Sequence, residues 1–370
     1  MLVERELDAL VVSFLPNVFY LTNFTGSSAV VLVTRGQLHF ITDFRYLTAV
    51  ETSWATPHGC PGASLVRVGT NYDETLVGLV KAVGVNRVGF EAAHVPFAQH
   101  ARWAAGFGPG VNAVPTERIV EAERVRKDAH ETATLREAAG VLTPAFDQVL
   151  AEVRPGRSER EVAARIDWIL MDSGFERPAF ETIVASGPNG ALPHARPGMR
   201  RLAAGDLVVL DLGGVHDGYC VDLTRTVSLG DPDAQARRVY GAVLDAHAAG
   251  IAASRSGATA REVDRAARGS LERAGLGDAF GHGTGHGLGI EVHEEPWLRR
   301  AEAQPAVPAG DAGSQPTPET HVVIESGMVF TIEPGAYLPG WGGVRVEDDI
   351  LVTDEGPEVL TQVPRELVVV

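Results

Sequence analysis

The sequence predicts a two-domain α+β protein, on three observations. The chain has 370 residues, enough for two domains of roughly 150 residues each. Residues 1–122 alternate short runs rich in Val and Leu with helical stretches, which predicts a smaller α/β domain on a mixed sheet. Residues 123–370 are richer in glycine and set long helices between stretches patterned like β-hairpins, which predicts an α+β domain.

In the first domain residues 9–14, 29–34, 37–42 and 87–90 read as strands, and residues 72–83 have helical spacing. From residue 121 to 139 charged residues and helix formers crowd together with no Gly or Pro until Gly140, which predicts a connecting helix that opens the second domain. Further helices are expected over 129–153, 158–173, 233–254 and 259–274. Ser158 with Glu161, and Thr259 with Glu262, fit the capping box at a helix start. Residues 298–321 are rich in Ala, Pro and Gly and lack periodicity. They read as a mobile surface insertion, either a plain connection or a lid.

Composition excludes several classes. Apolar residues make up 45% of the chain and charged residues 22%, ordinary values for a globular protein with a sizeable core. The net charge of −16 argues against nucleic-acid partners, which call for a basic face, and gives no support for binding an anionic membrane. No window approaches the 18 or so uninterrupted apolar residues of a membrane span. The first residues lack the basic-then-apolar pattern of a secretory signal. Cys60 and Cys220 form no CxxC pair, which fits two reduced thiols and a cytoplasmic location.

Four acidic residues stand where strands are expected. Val208-Val209-Leu210-Asp211 reads as a buried strand, Asp217-Gly218 as a two-residue turn, and 220–229 as the return strand. That register sets Gly213 opposite Asp222 and puts Asp211 on the same face. A second hairpin, 329–333 and 343–347 about a turn centred on Gly340, sets Glu333 opposite Glu347. A slip of one residue would send either pair to opposite faces. Acidic residues are depleted in strands, and like charges facing each other destabilise a sheet. Two such pairs imply either proton sharing or, better, a cation. An oxygen-rich donor set favours Mn²⁺ or Co²⁺, with Zn²⁺ as a further candidate.

The run from Gly281 to Gly289 has glycine at every odd position. Roughly 1 kcal/mol per glycine relative to alanine opposes a helix here. An extended chain puts His282, Thr284 and His286 on one face, with the glycines allowing close backbone approach to a ligand or metal. His293 joins the same site only if the chain bends after His286. Spacing alone does not choose between His282 and His286 as a ligand. Arg345 shares a strand face with Glu347 and either orients a carboxylate or makes an ordinary ion pair.

With these motifs in view, the chain resembles the pita-bread metallopeptidase family, which includes aminopeptidase P, prolidase and methionine aminopeptidase. The segments carrying the likeness are Asp211-Leu-Gly, Asp222-Leu-Thr-Arg-Thr, Gly-His-Gly-Thr-Gly-His286, Thr-Ile-Glu333-Pro-Gly and Gly-Gly-Val-Arg-Val-Glu347-Asp. The resemblance implies a C-terminal pita-bread catalytic domain over 123–370 and a creatinase-like N-terminal domain over 1–122. It implies two divalent metal ions held by Asp211, Asp222, His286, Glu333 and Glu347, and it assigns His194, His282 and His293 to the substrate. Glu333 is then the proton acceptor for a metal-activated water. Tyr20-Leu-Thr-Asn-Phe-Thr-Gly-Ser-Ser and Thr42-Asp43-Phe-Arg45-Tyr46 resemble the short bacterial aminopeptidase P and prolidase group. Asp43 and Arg45, as substrate-binding residues with Arg345, tilt the expectation toward an Xaa-Pro aminopeptidase. The alternatives are an Xaa-Pro dipeptidase and a non-enzymatic, peptide-binding member of the fold. A homodimer is also implied.

Overall fold

The computed structural model describes residues 2–56, 59–300 and 322–370. They divide into two compact units, Met1–Arg124 and Val125–Val370. The expected insertion at 298–321 lies outside the described residues except for its first three.

The first unit runs β1 (Ala9–Val12), α1 (Leu15–Thr22), β2 (Val30–Thr34), β3 (Leu38–Thr42), α2 (Leu47–Trp54), β4 (Ala63–Arg67), α3 (Tyr72–Val83), β5 (Arg87–Glu91), α4 (Phe97–Phe107), β6 (Asn112–Thr116) and α5 (Ile119–Arg124). Its sheet has the order β4-β3-β2-β1-β5-β6. Pairing is antiparallel through β1, β2 and β3 and parallel elsewhere, so the sheet is mixed. Both faces are apolar, which explains why these strands read as continuous hydrophobic runs. Val11, Leu32 and Ile41 pack with Leu76, Val80 and Trp103, while Leu10, Val12, Val31 and Phe40 pack with Val18, Val50 and Ile119.

The helix expected over 121–139 is interrupted. Helix α5 ends at Arg124 and the next begins at Ala129. Asp128 causes the restart: its side chain accepts from the backbone N–H groups of His130 and Glu131, and the Glu131 side chain accepts from the N–H of Asp128. That capping box starts a new helix at a position where composition alone showed no break.

The second unit continues with α6 (Ala129–Leu150), α7 (Glu159–Asp172), β7 (Arg177–Pro178), β8 (Ile183–Ser186), β9 (Leu207–His216), β10 (Tyr219–Ser228), α8 (Ala234–Ala253), α9 (Ala260–Arg273), β11 (Gly285–Gly287), β12 (Glu294–Leu298), β13 (Val329–Ile332), β14 (Gly335–Leu338), β15 (Gly342–Arg345), β16 (Asp348–Thr353) and β17 (Gly356–Val359). Helices α6 and α7 pack on the β7–β10 sheet, whereas α8 and α9 pack on each other and on β12 to β15. The second sheet has the order β12-β11-β13-β16-β17, and β14 pairs β15 separately. All pairings among these strands are antiparallel. The capping boxes at Ser158 and Thr259 form as the sequence indicates.

Because each hydroxyl satisfies an N–H that the helix itself cannot, Ser158→Ala and Thr259→Ala should each lower the unfolding free energy by about 1 kcal/mol. Denaturant titration of the two variants against the parent checks this; unchanged midpoints in both would refute it.

Candidate metal centre

Hairpin β9–β10 supplies the first two carboxylates. Asp217 and Gly218 take the positive φ values of 46° and 77° that a two-residue hairpin turn demands. The register follows: Asp222 faces Gly213 and Asp211 faces Thr224. Alternation then puts Asp211, Asp222 and Thr224 on one face.

The second hairpin keeps the expected register but not the expected strands. β13 pairs β16 and β14 pairs β15 in one continuous register, and the ladder breaks between them, so Glu333 and Glu347 lie outside the strands. Pro334 lacks the N–H that would continue the ladder. Across the gap Val346 N donates to Pro334 O at 3.4 Å, while the N–H groups of Glu333 and Glu347 point outward to other segments. Glu347 N donates to Thr224 O at 3.0 Å, and Glu333 N donates to Thr284 O at 2.8 Å. The gap thereby joins the second hairpin to the first and to the histidine–glycine run.

In that run only Gly285–Gly287 is a strand, between β12 and β13. A Cβ on Gly285 would lie 1.8 Å from Thr331 O, and one on Gly287 would lie 2.0 Å from Glu295 O. These glycines therefore admit neighbouring strands rather than a ligand. Thr284 does not share the face of the histidines; its hydroxyl donates to Asp264 on α9 at 2.9 Å.

His286 Nε2 lies 3.9 Å from Asp222 Oδ2 and 3.7 Å from Glu333 Oε1. Its Nδ1 is 3.0 Å from Gly287 O. A carbonyl only accepts, so Nδ1 carries the proton and Nε2 keeps its lone pair toward the carboxylates. Burial, then His293, lowers the His286 pKa to about 3, so the ring is neutral. Ligand atoms of Asp222, His286 and Glu347 lie within 4.8 Å of one another. Asp211 and Glu333 line the same cavity of about 630 Å³, with His194, His282 and His293. His293 bends back so that its ring meets His286 edge-on at 4.3 Å.

The chemistry of this set fits divalent cations. Asp211 Oδ1 and Asp222 Oδ1 are buried with no hydrogen-bond partner among the described residues, a costly state for a carboxylate oxygen. Burial and the Glu347 carboxylate push Asp222 and Glu333 well above the ordinary range, and burial with Asp211 pushes Glu347 up to about 8.

Several supporting residues escaped the sequence. Thr224 Oγ1 donates to Glu347 Oε2 at 2.5 Å, and Asp349 Oδ2 accepts from Asp222 N at 3.0 Å. Thr224 was within reach, since it lies two residues from Asp222 on one strand face. Arg345 orients a carboxylate: Nη2 donates to Asp211 Oδ2 at 2.5 Å and Nη1 to the Tyr337 hydroxyl at 2.9 Å, with the guanidinium buried. His282 Nε2 is 2.8 Å from that same hydroxyl. Phe180, Ile183 and Trp297 give the cavity its apolar walls. Asp43 and Arg45 belong to the first unit, where they bond to each other in a bidentate pair at 2.9 and 2.7 Å, and Asp43 also accepts from Tyr72.

Comparison with known proteins places the chain in a family. Residues 133–354 match metallopeptidase family M24, and residues 1–126 match the creatinase/prolidase N-terminal domain. A Bacillus subtilis relative described as the uncharacterized peptidase YqhT is 35% identical, covering 99% of this chain and 97% of its own. The Xaa-Pro dipeptidase of Pyrococcus furiosus is 38% identical, covering 67% of this chain and 66% of its own. Among solved structures, the Xaa-Pro dipeptidase of Bacillus anthracis superposes with a TM-score of 0.90 at 35% identity, covering 99% of this chain and 96% of that one. The X-Pro aminopeptidase of Thermotoga maritima gives 0.87 at 29% identity, covering 99% of each. The chain belongs to metallopeptidase family M24 and has its pita-bread fold with a creatinase-like N-terminal domain. Among the described residues no helix is long and apolar enough to cross a membrane.

A carboxyl whose folded-state pKa lies above its unfolded value binds more protons when folded, so stability falls as pH rises. For Glu347 the window runs from its ordinary 4.5 up to about 8. Chelator-treated protein should therefore melt at progressively lower temperature as pH is raised through this window, and added Mn²⁺ should flatten the slope. A melting temperature that rises with pH in the chelated protein would contradict the assignment.

Proposed function

We propose that this chain is an Xaa-Pro dipeptidase with two divalent ions, Mn²⁺ foremost, held by Asp211, Asp222, His286, Glu333 and Glu347. The observation that carries the metal assignment is the convergence of four carboxylates and one neutral imidazole in a single cavity, two of whose buried oxygens lack a donor among the described residues. Bound there, divalent ions supply Lewis acidity and lower the pKa of water.

The rest is work for side chains. Glu333 lies 3.7 Å from His286 and 4.0 Å from His282. Its carboxylate accepts the proton of the attacking water and returns it to the leaving nitrogen. His293 and His194 line the cavity and donate to the substrate carbonyls as negative charge develops. Burial, then Arg345, lowers His282 to about 4, so it meets substrate as a neutral imidazole. A bond to proline is a tertiary amide without N–H, so its recognition needs no acceptor for that donor, and Phe180, Ile183 and Trp297 offer apolar surface to the ring.

Dipeptidase is preferred over the aminopeptidase expected from Asp43 and Arg45. Those two satisfy each other, so their presence no longer argues for a longer substrate. Xaa-Pro dipeptidases among the relatives and solved structures support the shorter one. A dipeptide presents a free carboxylate beside the scissile bond. Arg196, which lies 3.6 Å from Glu181, and Arg299, whose guanidinium lies over the Trp297 ring, both line the cavity and bring cationic groups to it; Arg345 is held by Asp211.

Parallel assays on a Gly-Pro dipeptide and an Xaa-Pro-Xaa tripeptide across Mn²⁺, Co²⁺ and Zn²⁺ test this. The dipeptide should be preferred by about tenfold or more in kcat/KM, and the reverse order would reinstate the aminopeptidase. Glu333→Ala should lower kcat by about a thousandfold, the scale of a lost general base, and Asp211→Ala should reduce the metal content of purified protein. Near-parental activity in Glu333→Ala would remove that residue from the reaction.

A further inference from the structure

Behind the cavity, on the far side of the histidine–glycine run, α9 carries a charged pair. Asp264 and Arg268 are one helical turn apart and only 2% and 6% exposed. Arg268 Nε donates to Asp264 Oδ2 at 3.0 Å and Nη2 to Oδ1 at 2.8 Å. Burying such a pair costs several kcal/mol per ion in desolvation, and a well-packed apolar pair serves stability as well or better. Stability therefore does not account for an ion pair at this place.

The remaining bonds of the pair all reach the run that carries His282. Arg268 Nη1 donates to Phe280 O at 3.0 Å, and Nη2 donates to His282 O at 2.7 Å. Thr284 Oγ1 donates to Asp264 Oδ1 at 2.9 Å. The guanidinium also covers the Phe280 ring at 4.3 Å, and that ring meets His282 edge-on at 5.0 Å. Residues 280, 282 and 284 are thus gripped in turn. Between them stand Gly281 and Gly283, outside any strand, and glycine leaves a chain its greatest conformational freedom. Thr284 O in turn accepts from Glu333 N.

We propose that Asp264 and Arg268 form a positioning pair for the reaction. They fix the glycine-spaced segment so that His282 meets the substrate. Neither side chain lines the metal cavity, so both act through the backbone they hold. The proposal rests on the peptidase function proposed above and on His282 facing the substrate.

The test is a double-mutant cycle on kcat and KM with the preferred Xaa-Pro substrate, in metal-loaded enzyme, using Arg268→Lys, His282→Ala and both together. Lysine keeps the charge opposite Asp264 but loses the planar fork. Arg268→Lys should lower kcat about tenfold, with metal content and melting temperature near the parent's. On the His282→Ala background the same change should cost less than about twofold, because residues acting as a unit are not additive. Should Arg268→Lys fail to accumulate, Thr284→Val leaves the ion pair intact and carries the same cycle. Parental kcat in the single variant, or an equal loss with and without His282, would overturn the positioning role. Parental kcat/KM in His282→Ala alone would instead overturn the substrate role of His282.

Discussion

Four carboxylates brought together in one buried cavity repel one another, and much of the second unit is arranged to hold them there. Arg345 neutralises one side of Asp211, Thr224 donates to Glu347, and the backbone of Asp222 is fixed by Asp349. His286 turns a lone pair, not a proton, toward the cluster. None of these contacts removes the repulsion, which shows in the raised proton affinities of Asp222, Glu333 and Glu347. A multivalent cation removes it, since such a cation can be shared by several anionic oxygens.

Placing the carboxylates depends on the alternation of the ladder. Facing residues of an antiparallel pair alternately exchange their backbone hydrogen bonds and turn their N–H groups outward. Val346 N donates to Pro334 O, so the N–H groups of the adjacent pair, Glu333 and Glu347, point outward and reach Thr284 O and Thr224 O. Three separate stretches of chain meet at this pair. Glycines at 285 and 287 serve the same end, because β11 sits between β12 and β13 at distances that exclude a side chain. Sheet strands carry Asp211, Asp222 and His286, and breaks between strands carry Glu333 and Glu347, an arrangement that suits a site needing fixed geometry.

The legible part of the fold was the part governed by local chemistry. Capping boxes at Ser158 and Thr259 stood in the sequence as side chains at fixed offsets, and so did the Asp217-Gly218 turn that sets the β9–β10 register. The helix start at Ala129 was legible too, whereas the run of helix formers from 121 hid the break between α5 and α6. The end of the strand at Ile332 was legible as well, since the expected strand stopped at Glu333, just before Pro334. For the site, period-two alternation paired Asp211 with Asp222 and Glu333 with Glu347. It did not separate His282 from His286, since both occupy even positions of the run.

The sequence by itself paired the four acidic residues, because residue type and strand register decide which side chains share a face. It also determined membership of a metallopeptidase family, through motifs that only act together. Tertiary structure decided how the two histidines divide: His286 Nε2 lies 3.9 Å from Asp222 and 3.7 Å from Glu333, whereas His282 Nε2 bonds the Tyr337 hydroxyl. It decided that Arg345 serves Asp211, that Asp43 and Arg45 satisfy each other, and that Asp264 and Arg268 grip the run carrying His282. Those outcomes depend on contacts between residues tens or hundreds of positions apart, or on the direction a side chain takes, and neither is written in local spacing.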